Sequence, residues 1–240
     1  LKRLAGKLGL VLSCEHAGNR VPRAYAELFR RAEAKRALES HRGFDPGALA
    51  VAEALARHFS LPLHAQRVTR LLVEVNRSTG HPGLYSAFSR VLSPEARELL
   101  LSRHYTPHRD RVEQALRKAL AQRARVLHVA VHSFTPVLDG ELRRADVGLL
   151  YDPARPLERR FGLCLQRALK ARVPELRVRL NYPYRGASDG LTTWLRKRLG
   201  PRYLGFELEL NQALLLGPSA PRRLVTRALC DSLAAVLSTG

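Results

Sequence analysis

No stretch of the 240-residue chain approaches the run of about 20 apolar residues that a membrane-crossing helix needs. No basic–apolar–small signal pattern opens it either, so a cytoplasmic location is expected. Cysteine is scarce and odd in number. Cys14, Cys164 and Cys230 show no metal-finger spacing, which argues against a disulfide framework and for a reducing compartment. Acidic residues are in short supply, 21 Asp and Glu against 41 Lys and Arg, for a formal net charge of +20. Such a surplus can mark a nucleic-acid partner and equally draws in small anionic substrates. The basic residues are scattered, however, through helical segments such as 109–125, interleaved with alanine and leucine. Without a like-charged tail or an aromatic–basic alternation, nucleic acid is not the expected partner. Linkers of low complexity and internal repeats are missing too.

What remains is an ordinary soluble composition, 45% apolar and 26% charged, long enough to bury a proper core. Short apolar runs predict strands over 10–14, 63–68, 70–76, 125–132, 147–151, 176–180 and 203–210. Helical spacing predicts helices over 24–38, 48–59, 93–123 (interrupted near Pro107), 157–171, 191–199 and 220–237. Asp45 is placed to cap the helix that follows it, and Ser93 to cap another. Residues 79–90, with Gly80, Pro82 and Gly83, read as a long surface loop. Strands alternating with helices imply one α/β domain over 1–240, three layers deep, with a mostly parallel mixed sheet.

Several of these strands end in residues suited to chemistry. His16 follows the first, Asn76 and Arg77 end the third, His132 ends the fourth, and Glu207 and Glu209 lie on the last. In open α/β sheets ligands collect at the carboxyl ends of the strands. Two histidines and a carboxylate with an open fourth position form a catalytic zinc set. A further glutamate supplies a general base, and an arginine beside an asparagine can clamp a substrate carboxylate. Glu207 and Glu209 are two apart and share one face of their strand. Cys14 reads as a small apolar residue ending a buried strand rather than a nucleophile. His41, His58, His64, His81, His104 and His128 read as surface or packing residues.

The ordered segments CEHAGN, H-x-G-x-D-x-G-A, RLLVEVNRS, a strand ending in His-Ser, NYPYRG-x-SDG-x-T and E-L-x-Q resemble the N-formylglutamate amidohydrolases over about residues 8–214. The resemblance implies a zinc-exopeptidase-like fold and hydrolysis of a formyl or other acyl amide on a small acidic amino acid. It implies one zinc ion held by His16, His132 and a carboxylate, Asp45 in preference to Glu15. Glu209 is the implied general base, with Glu207 as the alternative. Asn76, Arg77, Arg70, Tyr184, Gly186 and Thr192 are implied on the substrate side. The pattern departs at Tyr105-Thr106-Pro107-His108-Arg109, where the family's histidine is one position out of register, so no role is assigned to His108. Two rivals stand beside this reading. One is a peptide or cell-wall amidase on the same scaffold, and the other a basic nucleic-acid-binding protein with a decayed site. The expected partner is a small anionic N-acyl amino acid, and the expected assembly a monomer or small homo-oligomer.

Overall fold

A computed structural model describes residues 8–239. The ordered elements begin with β1 (Leu8–Cys14), α1 (Ala32–Glu39), α2 (Ala48–His58) and β2 (Leu63–Ala65). The middle of the chain forms α3 (Pro94–Leu100), α4 (Thr106–Gln122), β3 (Arg125–Phe134), β4 (Val137–Leu138), β5 (Glu141–Leu142) and β6 (Val147–Leu150). It closes with α5 (Pro156–Arg172), β7 (Val178–Leu180), α6 (Leu191–Leu199), β8 (Tyr203–Asn211), α7 (Gln212–Leu216) and α8 (Ser219–Thr239). Six strands form one mixed sheet in the order β2-β1-β3-β8-β6-β7, and β4 pairs with β5 in a separate hairpin. The first four run parallel; β6 and β7 are parallel to each other, and β6 is antiparallel to β8.

Alternation along β3 decides how the layers assemble. Leu127, Val129 and Val131 join a core with Leu12 of β1, the even-numbered apolar residues of β8, and the faces of α2, α5 and α8. On the opposite face, Val126 packs with Val11, Tyr203, Val112 and Leu116 of α4, and Leu191 and Leu195 of α6. The sheet is therefore covered on both faces, and its central strands β3 and β8 are buried almost end to end, polar residues included.

A third cluster lies under the long connection between β2 and α3. It gathers Tyr25, Phe29, Ala34, Leu71, Leu72, Val73, Val75, Leu84, Leu100 and Tyr105. This cluster explains the main departure from the expected elements. Residues 70–76 are not a strand but a string of turns. Their amides go to local and loop carbonyls, Leu72 to Thr69 (3.0 Å) and Glu74 to Leu84 (2.9 Å), while the apolar side chains enter the satellite core. The run is apolar because it is buried, and burial alone does not distinguish a strand from a packed turn.

Other boundaries shift for local reasons. The segment expected as one helix over 24–38 splits into a 3-10 turn, Arg23–Phe29, and α1, because Arg31 is extended. The long helix is interrupted as expected, by a π-turn at Leu101–Tyr105 just before Pro107. Ser93 does cap α3, its hydroxyl accepting from the Ala96 amide (3.3 Å). Asp45 does not cap α2, which begins later, after Gly47 at φ 84°. Among the described residues no helix is long and apolar enough to cross a membrane.

Candidate active site

Three segments deliver the polar groups. β1 ends at Cys14 and the chain turns at once through Glu15 and His16, tied down by Ala17 N donating to Gln66 O (2.9 Å). The turn before α2 lies against it, Asp45 N donating to the His16 carbonyl (3.0 Å). His132 comes from β3, where register places it directly beside Glu209 of β8. With its side chain released from capping, Asp45 turns inward, and its Oδ2 accepts from Ser133 N (3.2 Å).

His16 Nδ1, His132 Nδ1 and Asp45 Oδ2 approach one another to 2.9–3.2 Å, all fully buried or nearly so. Each ring is held from behind. His16 Nε2 meets Glu74 Oε1 at 2.5 Å, and His132 Nε2 stands 3.1 Å from Glu15 Oε2. In the tautomers that turn the Nε2 protons toward these carboxylates, both Nδ1 atoms present lone pairs toward the Asp45 oxygen. Three such acceptors aimed at one point repel unless protons or a cation sit among them, and imidazoles backed by carboxylates are the usual way of orienting metal ligands. The donor set fits a divalent metal ion. Glu15, the second choice for third ligand, lies on the far side of His132 and contacts His108 (3.4 Å) as well.

The electrostatics follow from burial and pairing. Burial works against the charged form of Asp45 and Glu74, yet His16 and His132 hold Asp45, and Arg70 and His16 hold Glu74, well below the usual carboxylate range. Glu15 is likewise kept low by His108 and His132 against its burial. His132 is raised well above an ordinary imidazole because contacts with Asp45 and Glu15 outweigh desolvation. Glu209 goes the other way. Burial, opposed by His132 and reinforced by Asp45 and Glu207, pushes it up to about 7. Its buried Oε2 has no hydrogen-bond partner among the described residues. Burial also raises the Cys14 thiol, keeping it neutral and packed.

His16, Asp45, His132 and Glu209 line a cleft of about 210 Å³ with Arg70, Asn76, Arg77, Ser133, Tyr184, Arg185, Ser188, Asp189 and Glu207. The individual positions on the substrate side differ from one another. Arg70 is committed, bridging Glu74 (2.5 Å) and Asp45 (3.3 Å), and so braces the acceptor cluster. Arg77 pairs with neither Glu74 nor Glu209; it donates to the Asp189 carbonyl. Asn76 Oδ1 accepts from the Leu191 amide (2.7 Å) at the start of α6. Tyr184 sits at the rim, its hydroxyl accepting from Arg143 (3.0 Å). Gly186 and Thr192 do not line the cleft. A Cβ on Gly186 would come within 2.2 Å of the Tyr151 amide nitrogen, so this glycine allows close packing. Thr192 donates to Glu207 (2.7 Å) and orients that carboxylate. Glu207, so engaged, is less suited to proton transfer than Glu209.

The sequence profile of the N-formylglutamate amidohydrolases matches residues 8–216. The chain belongs to that family. No curated protein matches the sequence. Among solved structures, a gene product of Agrobacterium tumefaciens is 29% identical over 98% of this chain and 94% of its own, with a TM-score of 0.73. An N-formylglutamate amidohydrolase from Ralstonia eutropha shares the fold at 18% identity, covering 97% of this chain and 96% of that one, with a TM-score of 0.69. Family membership makes the chain a hydrolase of the amide-cleaving kind.

Five contributors were not singled out in the sequence: Glu74, Ser133, Arg185, Ser188 and Asp189. Glu74 did leave a signal, as a lone carboxylate inside the apolar run RLLVEVN. His108 is likewise buried at the site's back wall, while His128 packs as expected, between Ser13 (2.7 Å) and Tyr203 (2.8 Å).

Proposed function

We propose that the cleft hydrolyses the acyl amide of a small N-acylated acidic amino acid, with N-formylglutamate going to formate and glutamate as the leading case. The observation that carries this reading is the convergence of His16, Asp45 and His132 beside a buried carboxylate, Glu209, that has an unpartnered oxygen. We assign zinc to His16 Nδ1, His132 Nδ1 and Asp45 Oδ2. When bound there, zinc supplies Lewis-acid polarisation of a carbonyl and lowers the pKa of water toward neutrality.

The chain's own groups do the rest. Glu209, near neutrality in its proton affinity, takes a proton from the water that attacks the amide carbon. As the carbon–nitrogen bond breaks, Glu209 hands that proton to the departing amine. Arg77 and the amide nitrogen of Asn76, whose oxygen is already engaged, hold a substrate carboxylate. Arg70, Glu74 and Glu15 keep the acceptors aligned.

Size favours a small substrate over a peptide or cell-wall strand. A cleft of about 210 Å³ is below the range of about 300–1,000 Å³ typical for drug-sized ligands, and an extended groove would be larger still. The test is metal content of the purified protein, with formate release from N-formylglutamate measured before and after chelation. One zinc per chain with chelator-sensitive formate release is the expected result. A metal-loaded protein that releases no formate overturns the substrate.

A further inference from the structure

The charged groups of the cleft can be divided by whether they already have partners. Asp45 is held by Arg70 and two imidazoles, Glu207 by Thr192, and Asp189 Oδ2 by the Ser78 amide (2.9 Å). Arg70 is consumed by Glu74 and Asp45. Besides Glu209, the proposed base, that leaves two guanidinium groups lining the cleft without a carboxylate partner among the described residues, Arg77 and Arg185. Two unmatched cations in a small cleft are the complement of a dianion.

They are not equivalent. Arg77 is half-buried, and its backbone is clamped. Its carbonyl accepts from Tyr105 Oη (2.7 Å) and from the buried Arg109 (3.1 Å), while its own side chain is anchored on the Asp189 carbonyl. Arg185 is exposed at the rim, and its side chain makes no hydrogen bond or ion pair among the described residues. The backbone around it is nonetheless pinned. Gly186 N donates to Asn181 Oδ1 (3.1 Å), Arg196 donates to the Gly186 carbonyl (2.6 Å), and Ser188 N donates to the Arg185 carbonyl (3.0 Å). A fixed backbone carrying an unmatched guanidinium meets an incoming carboxylate with only side-chain entropy left to lose.

We infer that Arg185 is the specificity-determining residue of the cleft, binding the side-chain carboxylate of the substrate's amino acid, while Arg77 takes the α-carboxylate. The division follows from geometry. The α-carboxylate lies one carbon from the scissile nitrogen in every N-acyl amino acid, and so needs an invariant, immobilised partner. The side-chain carboxylate lies farther out and varies in reach, which suits the flexible guanidinium at the rim. Arg143 stacks on Tyr184 at 5.1 Å and donates to its hydroxyl, which holds in place the side chain of the residue preceding Arg185. The inference rests on the proposed amide hydrolysis and names the acidic side chain as the feature read.

The experiment compares N-formylglutamate with its neutral isostere N-formylglutamine, in the zinc-loaded wild type, Arg185→Gln and Arg185→Lys. The wild type is expected to prefer the acid. Arg185→Gln should raise KM for N-formylglutamate roughly 10- to 100-fold with kcat within about threefold, and leave N-formylglutamine little changed. Arg185→Lys should recover part of the preference. An equal loss on both substrates, or no loss on the acid, overturns the assignment. Should the wild type release formate from neither, the reaction has been misread, and binding then decides on Arg185. Calorimetry with glutarate and its monoamide should still show a preference for the dianion that Arg185→Gln abolishes. The same affinities in wild type and variant would overturn it.

Discussion

His132 and Glu209 occupy paired positions on the adjacent parallel strands β3 and β8, and both point to the sheet face that carries α4 and α6. The pairing sets an imidazole of the acceptor cluster next to a carboxylate that burial keeps close to neutrality in its proton affinity. A one-residue slip between these strands would turn one of the two into the opposite core, so the register that buries Leu208 and Leu210 also assembles the site. Glu209→Gln removes the proton carrier while keeping the shape. It should reduce kcat by roughly 10²- to 10⁴-fold and leave bound metal unchanged. Near-full turnover in that variant would assign the proton transfer elsewhere, with Glu207 next in line.

The acid limb of activity should belong to the same residue. A base must be ionised to accept a proton, and the Glu209 carboxyl is protonated below about 7. Activity should therefore fall as pH drops through that value or a lower one, because a bound cation favours the carboxylate. Glu207 contributes to the upward shift through its charge. In Glu207→Gln the limb of kcat/KM against pH should move to lower pH. A limb that stays in place or moves up would contradict the assignment.

Much of this was legible because strand chemistry has a period of two. RVLHVAVH exposes its apolar and imidazole faces on inspection, and GLVLSCEH shows a buried strand ending in ionisable groups. The partners that come from irregular backbone were harder to see. Glu74 reaches His16 because residues 70–76 fold as packed turns, and no local pattern separates such turns from a strand. Arg70 was expected on the substrate, but its pairing with Glu74 four residues on depends on that same turn geometry. Asp45 shows the opposite case. Its position before Pro46 and Gly47 favours a cap, and only the return of His16 and Ser133 to the same point turns its side chain inward.

The carboxylates behind the imidazoles lead to a prediction about metal rather than turnover. Glu74 accepts from His16 and is itself gripped by Arg70, so it fixes which ring nitrogen faces the cluster. Glu74→Gln can satisfy the same contact with the wrong proton inventory. It should weaken zinc affinity about 10- to 100-fold, read by competition with a chromophoric chelator. Unchanged affinity would mean that the ring is oriented without Glu74.

His128 provides a test of the fold that is independent of the site's chemistry. Its ring is wholly buried between the Ser13 and Tyr203 hydroxyls, and desolvation pushes its pKa down to about 4. The unfolded chain, with an ordinary imidazole near 6.5, takes up a proton that the native state refuses until about pH 4. Stability from this residue is therefore fully present above pH 6.5, declines as pH falls, and stops declining near pH 4. The whole swing amounts to at most about 3 kcal/mol. Other buried imidazoles titrate in the opposite sense, so the quantity to follow is the difference between wild type and His128→Gln in urea unfolding. The variant costs stability at pH 7.5, where it loses a well-matched pair of hydrogen bonds, and that deficit should shrink steadily toward pH 4.5. A deficit that stays constant across this range would mean that His128 titrates in the native fold as it does in the unfolded chain, and one that grows toward low pH would mean that it is charged there.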